Sequence, residues 1–169
     1  FECIPQSVFN IIDVEETGKD FEENAILKAK NAFTKTNISS VGDDSGLIVP
    51  AINNEPGLYS ARYAGLNATD TDNRNKLISK LKDKKLESTY AYFFCCIVAF
   101  GIKGQNEIIV CDGKVEGEVR TIERGEKGFG YDPMFYPKGY SESFAELNSL
   151  EKNKISHRGQ ALKKLMDKL

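Results

Sequence analysis

The chain has 169 residues, of which 40% are hydrophobic and 28% charged, with a formal net charge of -2; this is the size and balance of one globular domain, over residues 1–169, with a core of its own. A pI near 5.6 excludes broad adhesion to nucleic acid or a membrane surface, so an anionic ligand needs a local cationic cluster or a metal. The sequence shows neither a signal peptide nor an apolar run of about 20 residues, and is expected to be soluble. Cys3, Cys95, Cys96 and Cys111 form no C-x-x-C pair, and three of them sit in apolar, strand-like runs where a reduced cysteine acts as a small core residue. A cytoplasmic location is the expectation.

Helix and strand signals alternate along the chain, which predicts an α/β domain. In "GKDFEENAILKAKNAFTK", Asp20 reads as an N-cap with Glu23 in the capping-box position of a first helix. At 3.6 residues per turn, Phe21, Ala25, Lys28 and Ala32 share a face, so Lys28 projects from small apolar neighbours while Ile26 and Phe33 face a core. Ile38 to Val41 read as a short strand running into "GDDSGL", where Gly46 permits a turn into a second strand, Leu47 to Val49. "ATDTDNRNKLISKLK" reads as a capped helix with Leu77, Ile78 and Leu81 inward. "TYAYFFCCIVAFGI" and "NEIIVCDGKVEGEV", joined by a turn at "KGQN", predict a long antiparallel hairpin in a mixed sheet. "RGEKGFGYDPMFYPKGY" holds too much glycine and proline for a regular element, and more aromatics than a plain solvent loop. A terminal helix begins after Ser156 and is predicted to bury Leu162, Leu165, Met166 and Leu169.

Four places carry chemistry. Asp43 and Asp44 end a strand, where catalytic carboxylates gather in open α/β sheets; they face opposite ways while the strand persists, or form an Asx turn with Ser45 and Gly46. Glu15 and Glu16 are either a solvated acidic face or one half of a Mg²⁺ site, since carboxylates from two segments can hold that ion with water and phosphate oxygens. In "GFGYDP", Gly128 and Gly130 allow close backbone approach, and Phe129 and Tyr131 offer faces for stacking on a base; the alternative is an aromatic-glycine turn packed on the core. In "ISHRGQAL", helix-start N–H groups attract anions and Arg158 adds a fork of donors. A buried core role for His157 fits poorly there, because Ser156 supplies the cap and the His-Arg pair lies in the first turn. Lys152, four residues upstream of Ser156, flanks the same pocket.

Taken in order, "EETGKDFEENAILKAK", "DDSGL", "PGLYSARYAG", "GFGYDPMF", "SFAEL" and "EKNKISHRGQAL" resemble the inosine triphosphate pyrophosphatase, or Ham1-like, family from about Asp13 to the C-terminus. The resemblance implies a Mg²⁺-dependent, cytosolic homodimer that hydrolyses ITP, dITP and XTP to the monophosphate and pyrophosphate. It also implies a long central mixed β-sheet flanked by helices, with two lobes enclosing a nucleotide cleft. Carried over by position, Asp44 matches the family's general base and metal-associated carboxylate, Glu16 its metal-binding glutamate, and Lys28 the lysine directed at the phosphates. Ser45 matches a substrate contact. Phe129, Gly130, Tyr131 and Asp132 match the loop that stacks on and reads the purine, and Lys152, His157 and Arg158 match readers of the 6-oxo edge. Donors there would pair with the oxygen of hypoxanthine or xanthine and be left unpaired by the amino group of adenine.

Two departures stand out. The family's opening strand and T-x-N-x-x-K phosphate-gripping turn have no match in the chain as given; a truncated start is the expectation, and a protein truly beginning at Phe1 should bind triphosphate weakly. "INNEPG" replaces a Gly-Gly pair, and asparagine's tolerance of positive φ should preserve the turn. The competing readings are a catalytically impaired nucleotide-binding or regulatory protein, and an NTP pyrophosphatase of different base preference.

Overall fold

Residues Ser40–Val49 form a single strand, β1, with no break at Gly46. Gly46 is there for space, since a Cβ would stand 2.4 Å from the Gly57 carbonyl oxygen and 2.9 Å from the Phe21 ring. The strand expected from Ile38 begins two residues later, at Ser40, and Ile38 is exposed ahead of β1. The computed structural model describes residues 2–102, 104 and 107–169, so three of the four residues of the expected "KGQN" turn lie outside the described residues.

β1 is joined in one sheet by β2 (Glu55–Pro56), β3 (Ser88–Phe100), β4 (Ile108–Arg120) and β5 (Phe135–Pro137), in the order β2-β1-β3-β4-β5. Every described pairing is antiparallel, which corrects the mixed sheet expected from the sequence. A parallel neighbour needs a crossover that returns the chain to the starting end of the sheet. Here the segment between β1 and β3 re-enters beside the end β1 has just reached, pairing Ile48 with Tyr92. The β1–β2 turn is made by Asn53 and Asn54 at φ +61° and +64°, as asparagine in place of glycine predicts. β5 and a 3-10 turn at Asp132–Met134 give regular structure to a stretch that its glycine content marked as irregular.

Four α-helices flank the sheet: α1 (Phe21–Thr36), α2 (Asp70–Asp83), α3 (Ser149–Ile155) and α4 (His157–Lys168). α1 starts as predicted, with Asp20 Oδ1 accepting from the Glu23 N–H at 2.8 Å, although Glu23 reaches back to the Lys19 N–H. Ala25 and Ala29 press the backbone of α1 onto one face of β1 and β3, where they meet Cys96, Val98 and Phe100. α4 covers the opposite face over Cys95, Ile97, Ala99 and Cys111. At the far end of that face, Leu77 and Leu81 of α2 pack with Leu47, Phe93, Phe135 and Phe144. Full burial of each leucine contributes about 1.5–3 kcal/mol.

α4 buries Leu165 as expected and packs Leu169 partly against the same cluster, but departs from expectation at Leu162 and Met166. Ala161 and Leu165 are inward, whereas Leu162 and Met166 are 44% and 57% exposed. Both pairs have the same i, i+4 spacing, and contact with β4 decides between them. Gly113 of β4 lies directly under α4, where a Cβ would stand 1.9 Å from the His157 carbonyl oxygen and 2.8 Å from Ala161 N. Gly113→Ala is therefore expected to push α4 off the sheet and to destabilise the protein by about 1–3 kcal/mol, measured as a lowered urea midpoint at unchanged slope.

Candidate active site

Because side chains alternate along β1, Asp44 turns toward α1 and Asp43 toward α4. Asn24 and Lys28 lie one turn apart on α1 and both reach Asp44. Asn24 Nδ2 donates to Asp44 Oδ2 at 3.1 Å, and Lys28 Nζ donates to Asp44 Oδ1 at 2.9 Å and to the Asp43 carbonyl oxygen at 3.0 Å. Glu16 arrives from the irregular segment before α1, with Oε1 2.7 Å from the same Lys28 Nζ. Its other oxygen accepts from Arg62. One ammonium thus lies between two carboxylates contributed by separate segments.

The two carboxylates are driven apart in acidity. Burial is the largest influence on each and favours the protonated form. At Asp44, which is 6% exposed, burial prevails over Lys28 and Asn24 and raises the pKa. At Glu16 burial is outweighed by Lys28 and Arg62 acting together, and the pKa falls. For Lys28, desolvation is overcome by the two carboxylates, which hold the ammonium more firmly protonated than usual.

On the opposite side, Arg158 Nε and Nη2 donate to Asp43 Oδ2 at 3.0 and 2.8 Å. Lys152 of α3 donates to Asp132 Oδ2 at 2.5 Å, and the same oxygen accepts from the Phe129 N–H at 2.8 Å. Gly128, at φ +79°, makes this possible, because a Cβ there would lie 2.1 Å from Asp132 Oδ2. The Phe129 ring is 59% exposed, with Lys152 Nζ 4.8 Å and Arg158 Cζ 5.6 Å from its centre. An exposed aromatic with two cations over its ring suits a flat, electron-rich heterocycle.

The structure corrects three readings here. Tyr131 is buried in the core with its hydroxyl donating to the Ser60 carbonyl oxygen at 3.0 Å, and offers no stacking face. Asp43 to Ser45 lie in continuous strand, so no Asx turn forms. His157 is buried, 6% exposed, and its ring is stacked on Phe93 at 4.7 Å and 10°. Burial, with Arg158 and Lys152 nearby, pushes its pKa down to about 3, so the imidazole is neutral. The predicted Ser156 cap does form, its Oγ accepting from the Gly159 N–H at 3.1 Å. Ser156 supplies that cap without keeping the histidine out of the interior, because α4 lies flush on Gly113 and its first turn is sealed against β3.

Ser45 Oγ and His157 Nδ1 are both buried without a hydrogen-bond partner in the structure, on the face of the sheet that α4 covers. Buried polar atoms of this kind carry a cost unless something satisfies them. Sequence reasoning missed Asn24, Phe93 and the pairing of Asp43 with Arg158. Strand alternation signals that Asp43 faces away from Asp44, while the cation that meets it is set by how α4 packs on the sheet. Among the described residues no cluster of three or more His, Cys, Asp or Glu is placed to enclose a metal. A cavity of about 430 Å³ bordered by Tyr90, Glu116, Glu118 and Tyr140 lies elsewhere, and its two glutamates are already paired with Lys114 and Arg120.

A sequence model of the Ham1 family matches residues 2–168. A dITP/XTP pyrophosphatase from Idiomarina loihiensis is 46% identical over 165 residues, covering 98% of this chain and 82% of that protein. One from Legionella pneumophila strain Paris is 48% identical over 163 residues, covering 96% and 84%. Among solved structures, a HAM1 protein from Coxiella burnetii superimposes with a TM-score of 0.88 at 43% identity, covering 97% of this chain and 83% of that one. The Staphylococcus aureus Ham1 protein gives 0.85 at 44%, covering 96% and 82%.

His157 is the sole histidine, so its imidazole C–H resonance is read without assignment. With a folded-state pKa of about 3 below an unfolded value of about 6.5, the unfolded chain takes up the proton first as pH falls. Stability from the neutral ring is whole above the unfolded pKa and declines from there toward the folded one. The resonance is expected to stay at its neutral position down to a pH of about 4; a midpoint near the unperturbed value would contradict the burial.

Proposed function

Because this chain belongs to the Ham1 family, we propose that it hydrolyses noncanonical purine nucleoside triphosphates, ITP, dITP and XTP, to the monophosphate and pyrophosphate. The observation that carries the reading is the Lys28 ammonium bridging Glu16 Oε1 at 2.7 Å and Asp44 Oδ1 at 2.9 Å. A cation already stands between two hard oxygen donors, and that donor set fits Mg²⁺, which binds through one or two carboxylates with water and phosphate oxygens. Glu16 and Asp44 would hold it, and the ion when bound would neutralise charge on the triphosphate. We propose with it a dependence on Mg²⁺, a homodimer and a cytoplasmic location, as the resemblance to the Ham1 family implies.

The split acidity divides the work of the carboxylates. Asp44, with its raised pKa, is suited to orient a water and accept its proton as the oxygen attacks the α-phosphorus. The bond from the α-phosphorus to the bridging oxygen breaks, and pyrophosphate leaves. Glu16 stays anionic as a ligand. Lys28, held charged, is the cation that α1 presents to the phosphates. Phe129 stacks on the base. Arg158, Lys152 and neutral His157 supply polar contacts for the 6-oxo edge, with Ser45, Gly130 and Asp132 alongside, and Tyr131 braces the loop from the core. Neutral His157 suits a hydrogen-bonding role better than general base work, since its Nδ1 is left without a partner and its pKa is held down to about 3.

The test is pyrophosphate release from ITP, XTP, dITP, GTP and ATP with Mg²⁺. Turnover of the 6-oxo purines well above ATP is expected, and none from any of them would sink the activity and leave a nucleotide-binding protein. Asp44→Ala should lower kcat by about 10²–10⁴-fold while the protein still binds ITP, whereas Lys28→Met should raise KM for every triphosphate without changing base preference. Retention of full kcat in the Asp44 variant would reassign the base.

A further inference from the structure

The tip of the base-reading loop is gripped by α2. Gly130, at φ +58°, has both its N–H and its carbonyl held by the first two turns of that helix. Asp70 Oδ2 accepts from the Gly130 N–H at 2.7 Å, and Arg74 Nη1 donates to the Gly130 carbonyl oxygen at 2.9 Å. Asp70 and Arg74 are separated by one helical turn and so project along the same face. Arg74 is fixed in turn, with Nη2 donating to Thr71 Oγ1 at 3.1 Å and Nε 3.0 Å from Glu123 Oε2. Behind it α2 is rooted by fully buried Leu77 and Leu81 and by the Thr69–Asp72 capping box.

Phe129, the adjoining residue, is mostly exposed. Core packing does not orient its ring; Lys152 and Arg158 lie over it, and the backbone on either side sets where the side chain starts. Two successive N–H groups there are bound by carboxylates from different elements: Phe129 N–H by Asp132 and Gly130 N–H by Asp70. Loops ordered before binding lose less entropy when a ligand arrives, and an aromatic already aimed at the base gains affinity in that way.

On the reading given under Proposed function, we infer that Asp70 and Arg74 are positioning residues that preset Phe129 for stacking on the purine without touching substrate. Their influence is confined to the base end of the nucleotide. The hydrogen bonds and ion pairs described for Glu16, Lys28 and Asp44 involve Asn24, Arg62, the Asp43 carbonyl and one another, and not α2. A loosened clamp therefore weakens purine binding and spares the grip on the phosphates.

Calorimetry with Mg²⁺ separates the two ends. The ligands are an ITP analogue with an imido bridge between its α- and β-phosphates, and inorganic tripolyphosphate. Arg74→Ala and Asp70→Ala are each expected to weaken the ITP analogue about tenfold and tripolyphosphate by less than about twofold. Asp70→Asn keeps an oxygen that can accept from the Gly130 N–H, and should restore most of the affinity. Amide hydrogen exchange over residues 128–132 should rise in both alanine variants and not in Asp70→Asn. Equal weakening of tripolyphosphate, or an unchanged affinity for the analogue, overturns the clamp, and the two Asp70 variants decide the matter if Arg74→Ala does not fold. A wild-type protein that binds the analogue but releases no pyrophosphate sinks the proposed activity and leaves this pattern readable.

Discussion

The pleat of β1 sends Asp43 and Asp44 to opposite faces of the sheet, and the helix on each face brings a cation to meet one of them. α1 brings Lys28 to Asp44, and α4 brings Arg158 to Asp43. The strand between them is tied on its inner edge to β3 over its length from Ser40 to Ile48. Two adjacent residues therefore anchor two charged clusters on opposite faces of the sheet. A shift of register by one residue would exchange their faces and separate both pairs.

Close approach of helix to sheet is what puts those cations within reach. Gly42 lets α1 settle on β1, a Cβ there falling 2.6 Å from the Ala25 carbonyl oxygen, and Gly113 does the same for α4 on β4. At Gly113 the consequence is chemical as well as structural. The first turn of α4 is pressed to the sheet, His157 is shut against Phe93, and its imidazole loses access to the proton it would otherwise carry near neutral pH.

Environment, more than residue type, separates the roles of the ionisable groups. Asp44 and Glu16 share one lysine, yet deeper burial lifts the first and a second cation, Arg62, lowers the other. Burial also pushes the Cys95 thiol up to about 11 and Cys96 up to about 12. These cysteines remain protonated packing residues, as their apolar setting in the sequence indicates.

Much of the site was legible in the sequence because it depends on local rules. Capping chemistry announced α1 and α2, β-branched and aromatic runs announced the β3–β4 hairpin, strand alternation the opposed aspartates, and helical spacing singled out Lys28. The Ham1 resemblance added site positions that no local pattern assigns. Tertiary contact decided the rest. The same i, i+4 spacing describes both the buried and the exposed faces of α4, and β4 chose between them. Tyr131 and Phe129 look alike as neighbours in a glycine-rich loop, but the core beneath takes one ring and leaves the other to solvent. The sequence by itself determined which chemical groups are present and which segments are regular, since those follow from backbone propensity and side-chain period. Only the tertiary structure decided which groups share a cation, which histidine nitrogen is sealed from water and how the loop tip is held, because those depend on contacts between residues far apart in the chain.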